Sequence, residues 1–180
     1  MAPLQMHASI HTQKSQRGTM SNRLLELTKK QWRIADPALR HADTGDERRA
    51  CYAVMRELRP HLNSEDEFME RTGRAADESY RILAAWEDGK VVALAGYRFQ
   101  ENLVYGKFLY VDDLVSAEHA RGKHWGERLL KALDAVAAEA GCVRLVLDTG
   151  MANALAQRFY FRQGLLTGSM RFGKAIGGAA

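Results

Sequence analysis

The change of hydrophobic period after residue 80 constrains the fold more than any other feature of this sequence. Three strand-like runs are predicted, over residues 80–86, 91–99 and 108–115. Asp88-Gly89 joins the first two runs and favours a tight hairpin turn. A long helix with one apolar stripe follows over residues 126–140, and Gly141 is its expected left-handed cap. An antiparallel meander that leads into an amphipathic helix requires a sheet with helices packed on it.

Further elements are predicted on both sides of this meander. Before it, the pattern predicts a short strand at residues 39–42, a helix from Asp46 that Pro60 ends, and a second helix that opens with a capping box of Ser64 and Glu67. After the long helix, it predicts a buried central strand at residues 142–147, a helix from Asn153 to about Gly164, and a final strand at residues 169–176.

The positive charge of the chain is concentrated at its N-terminus. Of the 26 basic and 22 acidic side chains, six basic ones and one acidic one fall within residues 1–35, which leaves the rest close to neutral. Residues 1–35 are therefore predicted to be a basic, disordered extension, and residues 36–180 a single domain. A neutral body does not favour nucleic acid as a partner, although the arm alone could bind one.

Several kinds of site are not indicated by the composition. The two cysteines, Cys51 and Cys142, stand in apolar patterns and are expected to be reduced, buried thiols. His119 and His124 have no third ligand at a suggestive spacing, so no metal site is predicted. No apolar stretch approaches the ~20 residues of a membrane span, and no secretory signal is apparent. We therefore expect a cytoplasmic protein without a membrane partner.

The loop before the long helix is a candidate phosphate site. It reads Arg121-Gly122-Lys123-His124-Trp125-Gly126. Free backbone N–H groups at the positive end of a helix dipole, next to basic side chains, can bind a phosphate or pyrophosphate. The loop lacks the patterns of a P-loop and of a dinucleotide fingerprint. On its own, it is also typical of an ordinary strand–helix turn with solvated basic side chains.

A second block of residues, downstream of the loop, makes the functional interpretation of the loop more specific. It contains Asn153, Ala156 and the run Phe159-Tyr160-Phe161-Arg162-Gln163-Gly164-Leu165. The two blocks together resemble the GNAT superfamily of N-acetyltransferases, whose phosphate loop reads Arg/Gln-x-x-Gly-x-Gly/Ala and whose next helix reads Asn-x-x-Ala-x-x-Phe-Tyr-x-x-x-Gly-Phe. The resemblance covers residues 105–168. It implies an α+β (mixed α/β) fold with a central mixed, mostly antiparallel sheet flanked by helices.

The resemblance also implies a reaction and a cofactor site. An acetyl group would pass from the cosubstrate acetyl-CoA to a primary amine of a small molecule or a protein. The residues implied to contact the coenzyme are Arg121, Gly122, Lys123, His124, Trp125 and Gly126 at the pyrophosphate, and Leu114, Val115, Ser116 and Asn153 along the pantetheine arm. His124 departs from the family pattern, which has a glycine there, and Ser116 replaces an apolar residue. His124 therefore keeps open a second hypothesis, a non-catalytic acyl-CoA-binding sensor of the same fold.

The chemistry of acetyl transfer needs a base and a proton donor. An alkylamine has a pKa of ~10, so a base or a water relay must remove a proton. Asp112 and Asp113 are neighbours in a strand and should face opposite sides, so only one can point into a cleft. We assign Asp112 as the base or acceptor anchor, with Asp148 as a rival. Tyr160, which the resemblance places near the thioester sulfur, can protonate the departing thiolate.

The acceptor amine and the assembly are left open. In the resembled family, the acceptor pocket is built mainly from the first helices and from loops around the last strands, which vary most widely. Small-molecule and protein amines therefore both remain candidates. Dimers are common in that family, so a homodimer is a candidate assembly.

Overall fold

The computed structural model describes residues 20–176 of the chain. Residues 1–19, the larger part of the predicted basic extension, lie outside the described residues. In chain order, the elements are α1 (Met20–Lys29), β1 (Leu39–His41), α2 (Gly45–Leu58), α3 (Glu65–Ala76), β2 (Arg81–Glu87), β3 (Lys90–Asn102), β4 (Gly106–Ser116), a 3₁₀ turn (Glu118–Ala120), α4 (Trp125–Glu139), β5 (Leu145–Leu147) and α5 (Ala154–Arg162). The chain forms two compact units, the first ending at Val146 and the second beginning at Leu147.

The sheet has the predicted mixed, mostly antiparallel form. Its strand order is β1-β2-β3-β4-β5, and the first four strands pair antiparallel. Asp88 and Gly89 both adopt positive φ, 50° and 75°, as a tight turn between β2 and β3 requires. The N–H groups of Val143 and Leu109 donate to the carbonyls of Lys107 and Arg144, so both segments advance in one direction, as in a parallel pair.

Helices and loop segments cover both faces of the sheet in the first unit. The predicted apolar face of α2 is confirmed, with Cys51, Val54 and Met55 buried. Arg59, the residue after α2, bonds to one face of β4. On the opposite face, the ring of Trp32 lies 5.5 Å from the ring of Phe99 in β3. The core is thus built between the sheet and helices on either side.

The helix caps differ from the prediction in one detail. The complete capping box belongs to α2, where the Thr44 hydroxyl accepts from the Glu47 N–H and the Glu47 carboxylate accepts from the Thr44 N–H. At α3, the Ser64 hydroxyl accepts from the Glu67 N–H, but the Glu67 carboxylate accepts from the N–H of Asn63. Residue types at the right spacing therefore predicted the start of α3 and only half of its cap.

Two predictions about the end of the chain are wrong. Residues 142–147 were expected to form a buried central strand, but only Leu145–Leu147 is a strand, and its residues are half-buried. Residues 169–176 form no strand. Among the described residues, β5 is therefore the last strand of the sheet. Cys142 is half-buried and not buried as predicted, whereas Cys51 is buried as predicted.

Part of the predicted extension, residues 20–35, lies within the described residues. Residues 20–29 form α1, and Trp32 is only 5% exposed. An Nη of Arg81 donates to the carbonyl of Lys30 at 2.8 Å. Residues 20–35 thus contain a helix and contact the sheet through Trp32 and Lys30, and the boundary at residue 36 stays a prediction. For residues 1–19, the extension stays a prediction.

Candidate active site

The predicted phosphate loop connects β4 and its 3₁₀ turn to α4. Gly122 has a φ of 79°, and His124 is the N-cap of α4 with a φ of 61°. The His124 side chain makes no capping hydrogen bond. At the start of α4, the N–H of Arg128 donates to the carbonyl of His124. The start of α4 therefore lacks a side-chain cap. This is the geometry in which backbone N–H groups can donate hydrogen bonds to a phosphate oxygen.

The basic side chains of this loop are held weakly. Lys123 Nζ lies 3.1 Å from a Glu87 carboxylate oxygen, and His124 Nδ1 lies 3.1 Å from a carboxylate oxygen of Glu127. Arg121 reaches Glu57 only at 3.5 Å. Exposed pairs of this kind contribute about 0–1 kcal/mol each. These side chains can therefore exchange their carboxylate partners for a phosphate at little cost.

We expect opposite effects on stability from two substitutions at His124. A left-handed backbone suits glycine and disfavours a β-branched residue by about 1–2 kcal/mol. His124→Gly should leave the free energy of unfolding unchanged or raise it by up to about 1 kcal/mol, since relief of strain is partly offset by chain entropy. His124→Val should lower it by about 1–2 kcal/mol. Urea unfolding of both variants measures the difference, and equal responses would contradict a left-handed N-cap.

The strand segment predicted to pair with pantetheine lies at the end of β4. Leu114, Val115 and Ser116 are half-buried and pair with β3 on one edge. The bonds from β4 to the chain after α4 involve Lys107 and Leu109, near the other end of β4. This segment and the loop at residues 121–126 both belong to the first unit and are separated in sequence only by residues 117–120, which include the 3₁₀ turn.

A bulge in β4 changes the expected orientation of the two aspartates. Tyr97 lies opposite Val111, and Gly96 lies opposite Asp113, so Asp112 is an extra residue in β4. Gly96 and Tyr97 are successive in β3 and face opposite sides, while paired residues share a side. Asp113 therefore faces away from Val111, although the two are only two residues apart. The prediction that Asp112 and Asp113 face opposite sides is wrong, because the bulge breaks the alternation.

Both carboxylates belong to one polar group, the bulge cluster of Arg59, Tyr80, Arg98, Asp112 and Asp113. Arg59 Nε donates to Asp113 Oδ1 and Arg59 Nη2 to the Asp112 carbonyl, both at 2.9 Å. The Tyr80 hydroxyl donates to Asp113 Oδ2 at 2.8 Å. Arg98 Nε donates to Asp112 Oδ2 at 2.8 Å, and its guanidinium lies 5.6 Å from the Tyr80 ring centre. Two guanidiniums thus contact two carboxylates around the bulge, and Arg98 also donates to the exposed carboxylate of Glu78 at 3.0 Å.

Asp112 and Asp113 differ in burial and in hydrogen bonding. Burial raises the pKa of Asp112, an effect that the hydrogen bond from Arg98 partly opposes. Burial, reinforced by the Asp113 charge, raises the pKa of the Tyr80 hydroxyl well above its usual value. Asp113 is more buried than Asp112 and has both carboxylate oxygens engaged. Asp113 therefore holds the bulge in place, and Asp112 is the better candidate for contact with substrate.

Sequence reasoning missed Arg59, Tyr80 and Gly96. A β-carbon on Gly96 would lie 2.0 Å from the Tyr80 hydroxyl oxygen, so the absence of a side chain makes room for this hydroxyl. Arg59 stands between the last apolar residue of α2 and Pro60, where it reads as a solvated helix end. No spacing rule joins these three positions to β4, because they come from separate elements.

The second unit carries the other predicted site residues on α5. The Asn153 side-chain oxygen accepts from the N–H of Ala156 at 3.2 Å, which confirms Asn153 as the N-cap. Tyr160 lies about two turns further along the helix, so the two residues share a side. Burial raises the pKa of Tyr160, which keeps its hydroxyl protonated at neutral pH. Asp148, the rival base, forms an ion pair with Arg171.

Two absences hold for the described part of the chain. Within residues 20–176, no three histidine, cysteine, aspartate or glutamate side chains group together as metal ligands. No helix in that range is long and apolar enough to span a bilayer.

Comparison with known proteins identifies the family. Residues 29–165 match the model of the acetyltransferase (GNAT) family. An uncharacterized N-acetyltransferase of Bacillus subtilis, YhdJ, is 31% identical over 109 residues, which are 61% of this chain and 77% of that protein. The aminoalkylphosphonate N-acetyltransferase of Salmonella typhimurium is 32% identical over 143 residues, which are 77% of this chain and 90% of that protein.

Solved structures agree on the fold. An aminoglycoside N-acetyltransferase in complex with CoA superimposes with a TM-score of 0.68 at 15% identity, over 76% of this chain and 93% of that one. The matched region of the family includes β4, the loop at residues 121–126 and α5. The chain therefore belongs to the acetyltransferase (GNAT) family and is an N-acetyltransferase, which transfers an acetyl group to an amine.

Proposed function

We propose that this chain takes the acetyl group from acetyl-CoA and transfers it to the primary amine of a small molecule in the cytoplasm. The observation that carries the proposal is the uncapped start of α4 behind a glycine-containing loop, next to the end of β4. A small-molecule acceptor is supported by the relative in Salmonella typhimurium, which is named for aminoalkylphosphonates. The second candidate, a non-catalytic acyl-CoA sensor, is not favoured, because the curated relatives are named N-acetyltransferases. A homodimer stays a candidate assembly.

The residues around this loop fit the proposed cosubstrate. A β-carbon on Gly122 would meet no atom within 4 Å, so the backbone there is open to a ligand. In the proposal, the backbone of residues 121–126 binds the pyrophosphate, with Arg121 and Lys123 adding positive charge. Leu114, Val115 and Ser116 pair with the pantetheine arm, and Asn153 contacts the same arm.

The proposed chemistry assigns one proton transfer to each catalytic residue. Bound acetyl-CoA supplies an activated thioester carbonyl. Asp112 accepts a proton from the attacking ammonium group through a water molecule, which frees the nitrogen lone pair. Backbone N–H groups of β4 stabilise the oxyanion of the tetrahedral intermediate. Tyr160 donates its hydroxyl proton to the sulfur as the carbon–sulfur bond breaks. The nitrogen loses its second proton to solvent as it becomes an amide, and solvent returns a proton to Tyr160.

The first test is thermal unfolding of the full chain with and without acetyl-CoA. A ligand at ~100 times its Kd should stabilise the fold by about 2.7 kcal/mol. For a protein of this size, the melting temperature should rise by roughly 5 to 10 °C. Turnover is then measured as thiol release from acetyl-CoA across a panel of amines, including aminoalkylphosphonates, amino sugars and a lysine peptide.

The two readouts separate the candidate functions. A melting shift with amine-dependent thiol release supports the proposed enzyme, and the amine that reacts fastest gives the acceptor class. A melting shift without release for any amine would favour the sensor. The absence of a shift at millimolar acetyl-CoA would rule out the loop as the cofactor site.

A further inference from the structure

A polar cavity lies outside the loop at residues 121–126. It has a volume of about 180 Å³ and lies where the end of β1, α2, α3 and the start of β2 meet. Its charged and polar lining comes from Asp43, Arg48, Thr72, Tyr80 and Arg81. At ~30 Å³ per water molecule, the cavity holds roughly six waters or one small polyatomic ion.

Arg48 is the unexplained group in this cavity. Its Nε is buried, and no described residue accepts a hydrogen bond from it. None of the described acidic side chains forms an ion pair with this guanidinium, whereas the neighbouring Arg49 pairs with Glu65 at 2.8 Å. A buried donor without a partner is costly, especially on a charged group. Such a group indicates a partner that is not a side chain, either water or a bound anion.

The other charges of the cavity leave a positive excess. Arg81 is 7% exposed, and one Nη donates to Asp43 Oδ1 at 2.7 Å while the other donates to the Lys30 carbonyl. Asp43 is thus neutralised by Arg81, and Arg48 remains uncompensated. The cavity therefore favours an anion. Guanidiniums match the paired oxygens of phosphates and carboxylates.

The Thr72 hydroxyl restricts which anions fit the cavity. Its hydroxyl donates to the carbonyl of Phe68 at 2.8 Å, so toward the cavity the oxygen can only accept. An ionised carboxylate or a sulfate has no hydrogen to donate, but hydrogen phosphate has one. A tetrahedral anion that both accepts from Arg48 and donates to Thr72 satisfies both groups.

We propose that this cavity, lined by Arg48, Thr72 and Arg81, is a binding site for inorganic hydrogen phosphate. It is separate from the proposed pyrophosphate loop and does not depend on acetyl transfer. Tyr80 lines the cavity and also donates to Asp113 in the bulge cluster. An occupied cavity would therefore stiffen a residue that supports the bulge in β4.

The test is thermal unfolding of the full chain at pH 7 with increasing inorganic phosphate, with potassium chloride at matched ionic strength as the salt control. Acetate and sulfate are titrated in parallel. The melting temperature should rise in a saturable manner with phosphate, less with sulfate and least with acetate. Since the pyrophosphate loop can also bind phosphate, the decisive comparison is between Arg48→Gln and Arg56→Gln, an exposed arginine on the same helix.

Arg48→Gln should weaken the phosphate response at least tenfold, and Arg56→Gln should leave it unchanged, because a hydrogen bond to a charged group contributes enough for about a tenfold change in affinity. Without phosphate, Arg48→Gln should melt no lower than Arg56→Gln, since it removes a half-buried guanidinium whose buried Nε has no hydrogen-bond partner among the described residues. If Arg48→Gln fails to fold, Arg48→Lys keeps the charge and should still weaken the response. An equal phosphate response in the Arg48 and Arg56 variants, or no response beyond the salt control, would overturn the proposal.

Discussion

Replacing Gly96 by alanine is expected to lower the free energy of unfolding by about 3 to 5 kcal/mol. The new β-carbon would lie 2.0 Å from the Tyr80 hydroxyl oxygen and 2.7 Å from Asp113 Oδ2. Overpacking of a buried site costs about 1–3 kcal/mol. Displacing the Tyr80 hydroxyl also breaks its bond to a buried carboxylate, which adds about 1.5–3 kcal/mol. Chemical unfolding measures the loss.

Gly73→Ala is the matched control. Gly73 lies within α3, where a β-carbon meets no atom within 4 Å. The same substitution should there raise the free energy of unfolding by about 1 kcal/mol, because alanine is the better helix former. Opposite signs at the two positions would confirm that contact with Tyr80 and Asp113 makes Gly96 necessary. A loss below about 1 kcal/mol in Gly96→Ala would mean that the bulge cluster relaxes easily.

Tyr160→Phe is expected to lower kcat about 100-fold while leaving the KM for acetyl-CoA nearly unchanged. A positioned general acid contributes about 10²–10⁴-fold, and phenylalanine removes only the hydroxyl. Burial raises the pKa of Tyr160, so the hydroxyl carries its proton at neutral pH, as an ordinary tyrosine also does. Steady-state kinetics with the fastest amine of the panel provides the measurement.

Tyr105→Phe serves as the control for loss of a tyrosine hydroxyl. Tyr105 lies in the turn between β3 and β4, and its ring contacts with Phe108 and Arg144 do not need the hydroxyl. Its kcat should stay within twofold of the wild-type value. Full turnover in Tyr160→Phe would remove Tyr160 from its assigned role and leave the thiolate to be protonated by solvent.

The local elements could be predicted because each depends on neighbouring residues in sequence. The apolar face of α2, the hairpin at Asp88-Gly89 and the cap at Gly141 follow from periodicity and from glycine in the left-handed region, and Gly141 has a φ of 71°. The family resemblance predicted the architecture of the sheet from two motif blocks, the loop at residues 121–126 and the block at residues 153–165, which follow each other along the chain within residues 105–168.

The failures concern contacts between distant parts of the chain. The bulge at Asp112 is a property of how β3 and β4 align, and the strand pattern alone gives two neighbouring aspartates opposite faces. The salt bridge from Arg59 to Asp113 joins residues 54 positions apart. The apolar run at residues 142–147 indicates a strand equally well at the centre and at the edge of a sheet. These features depend on contacts between elements that are distant in sequence, which local residue preferences do not determine.

The anchoring of Trp32 determines where the chain can be shortened for expression. A version that begins at residue 36 would uncover Phe99, whose ring lies 5.5 Å from that of Trp32, and would remove the carbonyl that accepts from Arg81. Exposed aromatic surface of this kind promotes aggregation during purification. The safe starting point for a shortened version is thus upstream of α1 (Met20–Lys29), and fluorescence of Trp32 reports on whether this segment remains folded against the sheet.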